Sequence, residues 1–161
     1  MDTYELDEVD KGILYHLQQD ARNSTSTEMA GELDIAASTV RNRLARMEDE
    51  GVIERYIPKL DYEKAGFQLR VLFTCTAPDE PENFGQDVLE QEGVIAVREL
   101  LAGTENLHVE AVGTDTDQLT EVADSLREMG LEIVRSDILK AQLHQPFNHF
   151  GVSAVTDDEG D

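Results

Sequence analysis

The chain has 161 residues, with 13 Lys and Arg against 35 Asp and Glu, for a formal net charge of −22. That length suits one or two small domains able to bury a core without staples. Four prolines, eleven glycines and 40% hydrophobic residues exclude collagen-like and low-complexity chains.

No apolar run reaches the ~18 residues of a membrane span. The start, Met1-Asp2-Thr3-Tyr4-Glu5, lacks the basic and apolar regions of a signal peptide. The expectation is a soluble cytoplasmic protein with no membrane partner. Cys75 is the sole cysteine, so no intramolecular disulfide forms. The histidines, His16, His108, His144 and His149, follow no zinc-ligand spacing, and neither a metal nor a cofactor is expected.

The apolar residues recur with regular periodicity, which argues against disorder despite the charge. An acidic surface of this kind suits molar salt: in dilute buffer the charges repel, whereas at ~1 M salt the Debye length falls to about 3 Å. The charge therefore points to a halophilic source; the plainer alternative is an acidic protein from an ordinary cell. Residues 1–66 carry −7, residues 67–155 carry −11 and residues 156–161 carry −4.

Along the chain, Asp7 can cap a first helix that places Val9, Ile13, Leu14 and Leu17 on one face and ends near Asp20. Thr25-Ser26-Thr27-Glu28 has capping-box spacing and opens a short second helix with Met29 and Leu33 inward. A third helix over residues 37–50 sets Val40, Leu44 and Met47 inward, and Gly51 stops it. Residues 52–57 read as an extended β segment, with Pro58 marking an edge. Three short helices and a strand make a winged helix-turn-helix.

The second half reads as a strand over residues 69–76, a helix over 83–92 and a strand over 94–101. A turn at residues 103–106 leads into a strand over 107–112, a helix from Asp115 or Thr116 to Gly130, and a strand over 131–139. The order β-α-β-β-α-β is the ferredoxin-like arrangement, with helices on one sheet face. The fold class is thus α+β. The predicted divisions are a winged helix-turn-helix domain at 1–60, a hinge at 61–66, a βαββαβ domain at 67–142, and a tail at 143–161 with a disordered end. Phe147 and Phe150 of the tail are expected to pack against a neighbouring subunit.

With Val40, Leu44 and Met47 inward, Ser38, Asn42, Ala45 and Arg46 point outward, flanked by Thr39 and Arg41. Residues 37–47 hold three arginines and no acid, and residues 37–60 carry +1 while the remainder carries −23. Hydroxyls to approach phosphates, an amide that pairs with adenine and arginines for guanine or phosphate are what a major-groove helix uses. The candidate contacts to double-stranded DNA are Ser38, Thr39, Arg41, Asn42, Arg43 and Arg46. The plainer alternative is that Arg41, Arg43 and Arg46 pair with Glu48, Asp49 and Glu50 on a solvated helix.

These residues resemble the Lrp/AsnC, or feast/famine, family of transcriptional regulators over residues 6–140. The resemblance is carried by Leu6-Asp7-Glu8-Val9-Asp10, Ile13-Leu14, Leu17-Gln18, Asp20-Ala21-Arg22, Ser38-Thr39-Val40-Arg41-Asn42-Arg43-Leu44 and Gly51-Val52-Ile53. It continues through Arg55-Tyr56, Leu60-Asp61 and Lys64-Ala65-Gly66. Family likeness and charge together suggest a halophilic archaeon. The resemblance implies a non-enzymatic regulator whose C-domain sheets pair into homodimers and often octamers, with an amino acid or related effector bound between C-domains. By family position the effector candidates are Gly103, Thr104, Glu105, Asn106 and Asp115. The glycine turns are otherwise only tight turns.

Ala36 stands where the family usually has a capping serine, and Asp34 replaces a glycine at the end of the second helix. The alternative is an enzyme on the same scaffold resembling siroheme decarboxylases, with His108, Arg98 and Arg135 serving a tetrapyrrole.

Overall fold

A computed structural model describes residues 3–78 and 82–150. The chain forms two compact units, Met1–Pro58 with Leu143–Asp161, and Lys59–Gln142.

The first unit contains α1 (Glu8–Asp20), α2 (Ser26–Glu32) and α3 (Ala37–Asp49). Side-chain caps determine where the first two helices begin. Asp7 Oδ1 accepts the Asp10 amide at 2.9 Å, and the Asp10 carboxylate accepts the Asp7 amide at 3.3 Å. Thr25 and Glu28 make the same reciprocal pair ahead of α2. Ala36 gives α3 no side-chain cap, so only backbone carbonyl bonds hold its first turn. Asp34 adopts φ 53°, the left-handed region that glycine occupies without strain, and Gly51 turns the chain at φ 72°.

Ile13, Leu14, Met29, Ala30, Val40 and Met47 form the buried core of this unit, bordered by Val9, Leu17, Leu33 and Leu44. The expected strand over 52–57 is absent among the described residues. Val52 and Ile53 lean on the core, and the Ile53 amide donates to the Met47 carbonyl at 3.1 Å. Tyr56 and Ile57 are exposed, and without a partner strand this extended stretch forms no ladder.

The segment after residue 142 packs onto this unit of its own chain. The Phe147 amide donates to Gln18 of α1 at 3.3 Å, and Phe150, in the 3₁₀ turn Asn148–Phe150, joins the helical core with its ring edge-to-face with that of Phe147. The tail phenylalanines, expected to pack against a neighbouring subunit, thus find partners within their own chain, with Phe147 still half exposed. The acidic end at 156–161 lies outside the described residues.

The second unit contains β1 (Leu69–Thr76), α4 (Phe84–Leu89), β2 (Val94–Glu99), β3 (Leu107–Gly113), α5 (Thr116–Glu128) and β4 (Glu132–Ile138). Its sheet is antiparallel in the order β2-β3-β1-β4. Strand alternation sends Val71, Phe73 and Cys75 of β1 and Leu107, Val109 and Ala111 of β3 into a core with Val88 of α4 and Leu119, Val122 and Leu126 of α5. Arg70, Leu72, Thr74, His108 and Glu110 alternate with these onto the opposite face.

α4 is shorter than its apolar spacing suggests, starting after Asn83 at φ 75° and ending at Leu89. The stretch expected as a hinge is a closed turn. The Lys64 amide donates to the Asp61 side chain at 3.1 Å, and the Phe67 amide to the Tyr62 carbonyl at 2.8 Å.

Candidate nucleic-acid interface and effector region

The third helix presents the candidate DNA residues because its other face is locked into the core. Val40 and Met47 are fully buried, while Ser38, Arg41, Asn42, Ala45 and Arg46 are exposed and Thr39 is half-buried. Among the described residues no ion pair joins Arg41 or Arg46 to Glu48, Asp49 or Glu50, so the solvated-helix alternative lacks its pairs. Glu48 instead accepts the Tyr56 hydroxyl at 2.8 Å. Burial first, and then Glu48, pushes the Tyr56 hydroxyl up to about 12.

Arg43 differs from the other candidates in its surroundings. Four residues before Met47, it lies only about 40° round the helix from that buried side chain. Its Nη1 turns back to α1, 2.5 Å from Asp7 Oδ2 and 3.4 Å from both oxygens of Asp10. The guanidinium therefore fastens α3 to the start of α1. Burial opposes the charge of Asp7, but the Asp10 amide and the Arg43 guanidinium outweigh it and hold the carboxyl below its ordinary value. Arg46 lies with its guanidinium carbon 4.9 Å from the centroid of the Tyr4 ring. Nothing in the sequence flagged Tyr4, because the contact crosses from the segment before α1.

The effector candidates fall into two places. Gly103, Thr104, Glu105 and Asn106 form the turn before β3, whereas Asp115 follows its far end. Seven strand residues separate them, about 20 Å at strand rise, too far for one small ligand to touch both sets within one chain. Two candidates also have structural tasks. Asn106 Oδ1 accepts the Ala77 amide at 2.8 Å, and Asp115 caps α5 by accepting the Gln118 amide at 3.0 Å. Gly103 takes φ 111°, a turn requirement. A cavity of about 730 Å³, not foreseen in the sequence, opens near the Asp115 end, lined by Tyr62, Phe67, Glu92, Gln118 and Glu121.

On the sheet face opposite the core, Glu110 is 2% exposed and held by two arginines. Arg70 Nε donates to its Oε1, and Arg98 Nη2 lies 3.4 Å from its Oε2. Arg135 pairs with Asp137 at 2.8 Å. Arg98 and Arg135, suggested for tetrapyrrole carboxylates, thus both have acidic partners in the fold.

Comparison with known proteins agrees with this anatomy. The winged helix-turn-helix DNA-binding family matches residues 6–54. An uncharacterized HTH-type transcriptional regulator of Pyrococcus furiosus is 37% identical over 92 residues, 57% of each chain, so the match spans little more than half that relative's length. The HTH-type transcriptional regulator LrpA of Pyrococcus horikoshii is 32% identical over 120 residues, 73% of this chain and 82% of that one. The Mycobacterium tuberculosis feast or famine regulatory protein complexed with L-methionine shares the fold, with TM-score 0.76 and 23% identity over 88% of this chain and 96% of that one. The chain belongs to the Lrp/AsnC family of helix-turn-helix transcriptional regulators.

Proposed function

We infer that the chain is a sequence-specific regulator that places α3 in the major groove of double-stranded DNA. The observation that carries this reading is the exposed face of Ser38, Arg41, Asn42 and Arg46, free of acids in a protein of net charge −22. Asn42 suits a base edge and Arg41 a phosphate; Ser38 and Thr39, in the first turn, suit phosphate oxygens. Arg43 acts from behind by holding α3 to α1.

The regulator works as a homodimer and in larger assemblies, through the sheet face that the helices leave uncovered. In the cytoplasm of a halophilic archaeon, counterion release contributes little to binding, so base contacts and shape carry the affinity. An amino acid or related small molecule gates the protein, bound between C-terminal units. The strand length of about 20 Å that separates Glu105 from Asp115 supports a site completed by a second chain. No catalytic role is assigned.

Footprinting on the DNA upstream of the chain's own gene in multimolar KCl tests the reading. Wild type should protect a site, and Asn42→Ala should relax preference at one base pair, costing ~1–3 kcal/mol. Arg41→Ala should weaken all sequences alike and lower the salt slope. Unchanged binding in both variants would overturn the assignment. A porphyrin that perturbs the absorption spectrum would instead favour the enzyme.

A further inference from the structure

Arg46 and Arg41 occupy opposite flanks of the exposed α3 face, yet their surroundings differ. Arg41 has no side-chain partner among the described residues. Arg46 lies over the Tyr4 ring at 4.9 Å, within the range of a cation–π contact. Tyr4 is itself held: its hydroxyl donates to Asp10 Oδ2 at 3.3 Å, and Asp10 is 1% exposed. Asp10 also accepts the Asp7 amide and Arg43. The ring under Arg46 is therefore anchored to the same carboxylate that ties α3 to α1.

We propose that Tyr4 is a positioning residue for DNA recognition, its ring holding the Arg46 guanidinium in place on the Asn42 flank of α3. This rests on the DNA-binding reading above. A free arginine must give up its rotamer freedom when it reaches a base edge or phosphate, whereas one laid on a fixed ring has already given up part of it. The contact is also short-ranged, so it keeps its effect at salt concentrations where the Debye length is about 3 Å and distant charges no longer orient the guanidinium. The Asp10–Arg43 link matters because it fixes the origin of the ring relative to the recognition helix.

Two measurements on the full-length chain in multimolar KCl test this. The first is the NMR shift of the Arg46 Nε–H proton in the free protein, for wild type, Tyr4→Phe and Tyr4→Ala. Ring-current shielding should be present in the first two and lost in Tyr4→Ala. The second is discrimination between the protected site and a scrambled one, with thermal melting to show that each variant is folded. Tyr4→Ala should lose about 3–10-fold in discrimination. Tyr4→Phe, which keeps the ring but gives up its 3.3 Å bond to Asp10, should lose less than Tyr4→Ala and fall between it and wild type. Arg46→Ala should abolish the effect of adding Tyr4→Ala.

An Arg46 proton indifferent to Tyr4→Ala, or a folded Tyr4→Ala variant that discriminates like wild type while Arg46→Ala does not, would overturn the proposal. Equal losses from Tyr4→Phe and Tyr4→Ala would also overturn it, because the hydroxyl and not the ring would then be responsible. A wild type that protects no site would fail the DNA-binding reading instead. The NMR result would still show whether the ring holds Arg46.

Discussion

Among the described residues each unit buries one carboxylate under arginine, and the two sites are built differently. Asp10 sits at the third position of α1, where its own helix supplies the Asp7 amide, with Tyr4 and Arg43 as further partners. Glu110 sits in mid-strand, and its charged partners, Arg70 and Arg98, come from the neighbouring strands β1 and β2. A carboxylate at a helix start is stabilised by local amides and the helix dipole before any arginine arrives. One in a sheet depends on cations that only the register delivers. The first site should therefore tolerate loss of its arginine, and the second should not.

The largest expected effect is that of Arg70→Ala. It leaves buried Glu110 with only the longer contact to Arg98 and should destabilise the second unit by about 3–5 kcal/mol. Replacing Glu110 and Arg70 together by leucine and methionine should recover most of this in urea melts. A cost below ~1 kcal/mol for Arg70→Ala would remove the contrast between the sites.

Arg43→Ala should cost less, about 1–2 kcal/mol, because Asp10 keeps the Asp7 amide and the Tyr4 hydroxyl. It should also change the acid limb. The folded-state carboxyl of Asp7 lies below its ordinary 3.8, so its contribution is present above that pH and lost as pH falls through the lower folded value. Without Arg43 that loss should move toward pH 3.8 in acid denaturation monitored by circular dichroism.

Asp34→Gly should raise stability by about 1 kcal/mol in the same melts, by relieving a left-handed aspartate. Beside the 33–36-residue reach of Arg43 to its carboxylates, this is a purely local effect. The smallest effect concerns Tyr56. Its raised hydroxyl contributes stability that is present below pH 10 and lost as pH rises through about 12. Alkaline absorbance titration of wild type against Tyr56→Phe should reveal this late ionisation, and Glu48→Ala should bring it down.

What was legible in the sequence was what neighbours along the chain decide. Asp7 and Thr25 cap their helices because each lies three residues from an acidic side chain that can answer it. Val40, Leu44 and Met47 set the buried stripe of α3, and with it the exposed face of Ser38, Asn42 and Arg46. The β-α-β-β-α-β order followed from the switch between period 2 and period 3.6. Residues 52–57 misled because apolar alternation describes a strand's side chains, whereas a strand exists only when another backbone pairs with it.

Partners distant along the chain decided the rest. Arg43 looked like its neighbours Arg41 and Arg46 until the packing of α3 on α1 brought it to Asp7 and Asp10. Glu105 and Asp115 are ten positions apart in the chain, but an intervening strand holds them at opposite ends of the sheet. Phe150 reached the helical core only because the chain folds back after β4. Helix periodicity and caps are encoded within a few residues, whereas which charge meets which is set by how the elements pack.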